Sequence, residues 1–384
     1  MSSSALTTAY TDLKAIEKLF LSVKNNEDFH CSHIYSIFRD TCLIVHEVIN
    51  AFFKEEIEVD KRIKEIRNHV HLFIKKRGYN KKVFEKVLHY HISAYGKDTN
   101  NIGFYVNNGE VIGSTLYIAY LLLETDTLPF PNLQNNTLIQ QQSFSLGEYV
   151  GQLTAFLSNK INFIPDEKII IKEKCIDGIL DTNIYTCKDL SHTSLFSEDI
   201  QKNIFLLRLI FSLHELNDII WIHEKYIKKI QKPSFLDLYL QIRLTTLKTD
   251  EVIDNLLNLK AHSLGHFAEW NKFTNGEISL FLDNFQQQLF NECSMMRNMI
   301  HYDLETPYAE MNFLGYLNSK QVENTDYISS TMDKIIYSYL YPLKKLINTY
   351  LNIESIEPIP EWEIINKRLL DLSNEILDID FKCN

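Results

Sequence analysis

Apolar residues recur at three- and four-residue spacing over 9–24, 33–57, 60–77 and 80–95, separated by polar breaks such as Gly78-Tyr79-Asn80. That period is the mark of amphipathic helices, and it predicts a compact N-terminal bundle. From Ile102 to Gly113 the pattern switches to alternation around Asn108-Gly109, which predicts a small hairpin or else a loop, with a buried helix next from about Ser114. Asp126 to Gln142 holds Pro129, Pro131 and a Gln/Asn-rich run and reads as a linker. The expected organisation is therefore an N-terminal helical bundle over 1–125, a linker-like segment over 126–142 and a helical C-terminal domain over 143–384. Within the last, Ser145 to Lys160 reads as helix. Lys168 to Cys187 has the β-branched character of two short strands around Asp177-Gly178.

The rest is helical in pattern. Ser197 opens a run to about Ile230, and Pro233-Ser234 breaks and restarts it. Thr274 and Glu277 have the spacing of a capping box, predicting one helix from about Gly276 to Tyr302. Pro307 is a chain break soon after that helix, Pro342 kinks a helix over about 319–351, and Pro358 and Pro360 precede a last helix over 361–379. The predicted class is predominantly all-α, with helical bundles and one or two small β-hairpins.

Composition agrees. Gly 11 and Pro 8 among 384 residues are well under half of what average usage of about 7% and about 5% would give. The longest strongly apolar run, Leu116 to Leu123, stops at Glu124, far short of the ~20 residues of a membrane span. With no basic stretch leading into an apolar one at the N-terminus, a cytoplasmic protein is expected. Six cysteines without a C-x-x-C pair argue against a disulfide framework or a cysteine zinc site.

Charge changes the picture. Between Lys61 and His91 ten basic residues stand against Glu65 and Glu85, so this island carries +8 in a chain whose total is −11. A basic island on an acidic protein attracts phosphate locally, and Lys64, Lys75, Lys76, Arg77, Lys81 and Lys82 are its candidate RNA-binding residues. A solvated face paired with acidic neighbours would have the same composition.

The sharpest candidate for chemistry is Met296-Arg297-Asn298-Met299-Ile300-His301-Tyr302, near the end of the helix expected from Gly276. Four residues apart on a helix, Arg297 and His301 would share one face, beside an apolar stripe of Ile278, Phe281, Phe285, Leu289, Met296 and Ile300. A guanidinium can hold a phosphodiester and stabilise its developing charge, while an imidazole moves a proton. The same R-N-x-x-H spacing occurs at Arg67-Asn68-His69-Val70-His71, inside the basic island.

On Arg297, Asn298 and His301 the chain resembles the HEPN superfamily, helical nuclease-like domains defined by an Arg, a polar neighbour just after it and a nearby His. The family pattern places four to six residues between Arg and His, whereas three intervene here. The resemblance implies a metal-independent endoribonuclease acting on RNA such as tRNA, often in anti-phage, abortive-infection or toxin systems, with no cofactor. It implies catalytic roles for Arg297, Asn298 and His301 and, by the repeated motif, for Arg67, Asn68 and His71. It also implies that two motifs meet, either in a homodimer or in an intrachain pseudo-dimer. The alternative is a non-catalytic helical module that binds RNA or a protein partner. In that case Arg297 and His301 would serve as structural contacts, for instance to Asp303 or Glu305.

The nominal family spacing occurs at Arg39 to His46 and Arg208 to His214, where helix residues paired to carboxylates are expected. His262 and His266, with Glu269 nearby, have the spacing of two zinc ligands but no nominated third, so no metal site is expected. No G-x-x-x-x-G-K-[ST], G-x-G-x-x-G or G-x-S-x-G motif occurs, which removes the usual support for nucleotide hydrolysis, dinucleotide binding and serine hydrolysis.

Overall fold

The computed structural model describes residues 3–23, 31–69, 78–123, 125, 136–161, 185–230, 232–302 and 312–377. The N-terminal half begins with α1 (Ser3–Val23) and α2 (Cys31–Val48), and a wide π-type turn, Ile49–Phe53, extends α2. Next come α3 (Lys61–Asn68), α4 (Tyr79–Tyr95), β1 (Ile102–Asn107), β2 (Glu110–Ser114) and α5 (Thr115–Leu121). Asn108 and Gly109 both have positive φ (52° and 77°), the geometry that a two-residue hairpin loop demands. The hairpin expectation therefore holds, and β3 (Tyr185–Leu190) adds to the free edge of β1 to give an antiparallel β2-β1-β3 sheet. The two strands expected over 168–187 lie outside the described residues except for their last three, which fall in β3.

Of the expected linker, 126–135 lie outside the described residues, but from Asn136 the chain is already in the long helix α6 (Asn136–Ile161). Gln is among the better helix formers, so the polarity of Gln140 to Gln142 did not make this stretch a loop. Beyond β3 the chain forms α7 (His192–Leu195), α8 (Ile200–Trp221), α9 (Phe235–His262), α10 (Leu264–Phe273), α11 (Glu277–Gln288) and α12 (Phe290–Asn298). The last helices are α13 (Phe313–Glu323), α14 (Tyr327–Ile335), α15 (Tyr341–Leu351) and α16 (Glu361–Leu377), while the break expected at Pro307 lies outside the described residues. The helix expected over 319–351 is thus three helices, with Pro342 in the first turn of α15 after a π-type turn at Ile336–Leu340. The chain is predominantly α-helical with one small sheet.

Helix starts explain two differences from the sequence expectations. Asp199, not Ser197, caps α8, its carboxylate accepting from the backbone N–H groups of Gln201 and Lys202 (2.9 and 3.2 Å). Thr274 closes α10 instead of opening α11: its hydroxyl donates back to the Trp270 carbonyl (3.1 Å), and α11 starts after Gly276 in the left-handed region. The capping box that does form is Ser234 with Asp237 at the head of α9.

One apolar core runs from Leu6 in α1 to Ile353, with α8 and α9 buried along most of their length at its centre. Helices from both sides of 126–142 pack together, α1 on α9 and α13, and α2 and α4 on α8. Several charged groups inside this core pair with one another. Arg39 and Asp40 of α2, Tyr117 of α5, Glu215 and Asp218 of α8 and Lys248 of α9 form a network shut off from solvent. Lys248 reaches Asp40 at 2.8 Å, Glu215 at 2.7 Å and Asp218 at 3.6 Å, and Arg39 pairs with Asp40 (2.7 Å) and with Glu215. Such a network costs desolvation but fixes which helix faces meet. No helix among the described residues is long and apolar enough to cross a membrane.

Candidate functional site

The site is built where α2, α3 and the turn after α12 meet. Glu47 stands in the last turn of α2. The chain then bends through the π-type turn and is restarted by Asp60, which caps α3 by accepting from the Arg62 N–H at 2.7 Å. Because α3 packs back along α2, Arg67 in its last turn arrives beside Glu47 and donates to Oε1 from Nε (3.1 Å) and Nη2 (3.0 Å).

The third component comes from far along the chain. The helix expected from Gly276 to Tyr302 is two helices, broken at Leu289, and α12 ends at Asn298. His301 therefore lies in the turn beyond α12, not one helical turn from Arg297 on a shared face. That turn is pinned from beneath by the buried guanidinium of Arg243, which bridges Asp12 (3.0 Å) and donates to the carbonyls of Met296 and Met299 (3.4 and 3.3 Å). Cationic donors suit a helix C-terminus, where carbonyls lack partners. Tyr302 adds a hydrogen bond to Asp12 and packs on Phe52, 5.6 Å between ring centres. So held, His301 places Nδ1 2.9 Å from Glu47 Oε2. His46 places Nδ1 3.1 Å from Oε1 of the same carboxylate.

One carboxylate thus gathers Arg67 from the first motif, His301 from the second and His46 from the nominal-spacing pair. Burial by itself would raise the Glu47 carboxyl. Hydrogen bonds from His301 and His46 and the charge of Arg67 outweigh that and hold it well below the usual carboxylate range, so it stays ionised. With Nδ1 engaged by Glu47, the outer nitrogen of His301, Nε2, has no partner among the described residues. Nη1 of Arg67 is in the same position. His301 is one-third exposed and Arg67 one-quarter, so both side chains meet solvent. A carboxylate-oriented imidazole beside a partly engaged guanidinium is equipped to move a proton and to hold an anion.

Arg297 takes different partners. It donates to Glu251 (2.8 Å) and to its neighbour Asn298 (3.1 Å), and lies 3.7 Å from Asp250. Burial and the charge of Glu251 push the Asp250 carboxyl up to about 6 although Arg297 opposes them. That carboxyl changes charge near pH 6. Asn68 is half-buried, and His69 is buried edge-on against Tyr120, 4.8 Å between centres. His71, Lys75, Lys76 and Arg77, with the alternative partners Asp303 and Glu305, lie outside the described residues. Lys64, Lys81 and Lys82 are exposed, Lys81 lying 3.6 Å from Glu85.

The other candidates separate. Arg39 belongs to the buried network, paired to carboxylates as expected, whereas Arg208 donates to the side-chain and backbone oxygens of Asn255 (2.7 and 3.0 Å). His214 stacks on Tyr117 at 4.1 Å. His266 lies 3.5 Å from Asp199 and 3.9 Å from Glu269, and no group of three or more His, Cys, Asp or Glu able to hold a metal ion occurs among the described residues. Sequence reasoning missed Glu47, His46 as its neighbour, Asp250 and Glu251. No motif flags them, and only the adjacency of His46 and Glu47 on a helix ending near a basic island offered a signal. No protein-family model matches this chain, and no match to it is found among curated proteins or solved structures.

Proposed function

We propose that the Glu47-centred cluster is the catalytic centre of a metal-independent endoribonuclease of the HEPN type, built within one chain. The observation that carries this reading is that Arg67 and His301, 234 positions apart in sequence and from two different motifs, donate to opposite oxygens of one carboxylate at 3.0 and 2.9 Å. In this reading Glu47 fixes the tautomer and orientation of His301, whose Nε2 takes the proton of a ribose 2′-hydroxyl as its oxygen attacks the adjacent phosphorus. Arg67 binds the phosphate through Nη1 and offsets its growing charge. The departing 5′-oxygen takes its proton from solvent, leaving a 2′,3′-cyclic phosphate, and His301 gives up the proton it gained to water. Lys64, Lys81 and Lys82 draw the RNA backbone toward the site. A bacterial defence or toxin setting follows from the resemblance alone.

A second reading rests on a specific observation: both motif arginines already face carboxylates, Arg67 to Glu47 and Arg297 to Glu251. That cancels charge which a phosphate would use, and suits a non-catalytic helical module in which the cluster ties the two halves of the chain. The test is cleavage of total RNA and tRNA in EDTA by wild type and His301→Ala. Cutting in EDTA that disappears in the variant supports the nuclease. A folded wild type that cuts nothing favours the module.

A further inference from the structure

Among the described residues, helix α16 is the one place where a long apolar stripe is left uncovered. It contributes no buried residue, and Trp362 (69% exposed), Ile365, Leu369, Leu372 and Ile376 (71% exposed) all face solvent. Their spacing is three, four, three, four, the repeat of a coiled-coil seam in which each side chain enters a hole on a facing helix. At about 100° per residue, Lys367 lies about 180° around the helix from the centre of this stripe. Lys367 pairs with Asp98 of the body, and the Asn100 side chain holds the backbone of Ile359 just before the helix (2.9 and 2.8 Å). The polar back is therefore tied down and the seam is turned outward. A helix of this length gains little stability alone, so an exposed seam of this kind points to a packing partner.

We propose that the occupant is a second copy of this chain, docked antiparallel through α16. Charge beside the seam selects this occupant. When Leu369 faces Leu372 of the second copy and Ile365 faces its Ile376, Arg368 lies opposite Glu375 of the second copy, and two-fold symmetry makes the pair twice. Sliding by one heptad sets Arg368 against Arg368 and Glu361 against Glu375, which is repulsive. A parallel pair sets Arg368 against Ser373 and gains no ion pair. The sequence of α16 is thus complementary to itself in one orientation and one register.

Sedimentation equilibrium on the full chain tests this. Wild type should be a concentration-dependent dimer, and Leu369→Glu should weaken it by about a hundredfold or more because the seam buries that side chain twice. Arg368→Glu and Glu375→Arg should each weaken association, and the double exchange R368E/E375R should restore it. Because α16 lends nothing to the core, each variant should keep the wild-type circular dichroism spectrum. A wild type that stays monomeric, a dimer indifferent to Leu369→Glu, or charge variants that the double exchange does not rescue would each overturn the proposal.

Discussion

Replacing Glu47 with Gln removes the one charge that Arg67, His301 and His46 share. The carboxylate takes two hydrogen bonds from Arg67, at 3.1 and 3.0 Å, and one from His301 at 2.9 Å. Losing one partner of a fully buried ion pair costs about 3–5 kcal/mol, and losing one at the surface about 0–1. Here the Glu47 side chain is 10% exposed, Arg67 25% and His301 34%, which places the cluster between these limits at about 2 kcal/mol. For a chain of this length that is a fall in Tm of about 2–3 °C. The pH dependence has a definite sign. The folded-state carboxyl lies below its ordinary value of 4.5, so its stabilisation is present above that pH and is lost as the pH falls below it. Urea unfolding of both proteins at pH 7, pH 5 and then downward is the assay. A gap under about 0.5 kcal/mol at pH 7, or one that does not narrow below pH 4.5, would refute the reasoning.

Two further perturbations test the same geometry. Lys248→Met takes from Asp40, Glu215 and Asp218 the one ammonium that reaches all three inside the core, and should cost about 3–5 kcal/mol in chemical denaturation; a loss below about 1 kcal/mol would mean that the network is not the joint described. Asp250 has a folded-state value of about 6 against an ordinary 3.8, so the native protein holds this proton more tightly than the unfolded chain. Its contribution to stability is complete below pH 3.8 and is lost as pH rises through 6, so Asp250→Asn should gain on wild type by about 2 kcal/mol over that window in pH-dependent unfolding.

The helices and the hairpin were legible because each is encoded locally. A three-to-four residue period gives α1, α2, α4 and α8, and Asn108-Gly109 gives a turn that needs positive φ at both residues. The break at Leu289 was not legible, since the sequence around it, QQQLFNEC, holds neither Gly nor Pro. The site was legible in its donors and hidden in its acceptor. Arg67 and His301 stand in recognisable motifs, but Glu47 is an ordinary acid that becomes central only when α3 folds back on α2 and Arg243 pins the turn after α12. The pairing of Arg297 with Glu251 was hidden in the same way, by the packing of α12 on α9. The buried network was hidden too: Glu215 and Asp218 stand in α8, which is buried at every position from Leu207 to Trp221, and only the packing of α2, α5 and α9 supplies their partners.

The central claim, one site assembled within one chain from Arg67 and His301, is tested most directly by cleavage of RNA in EDTA using wild type, Arg67→Ala, His301→Ala and an equimolar mixture of the two variants. Each variant should be inactive and the mixture should remain so, because every chain then lacks one half of its own site. Arg67→Ala that cuts like wild type, or a mixture that regains activity, would contradict it and place the site between two chains.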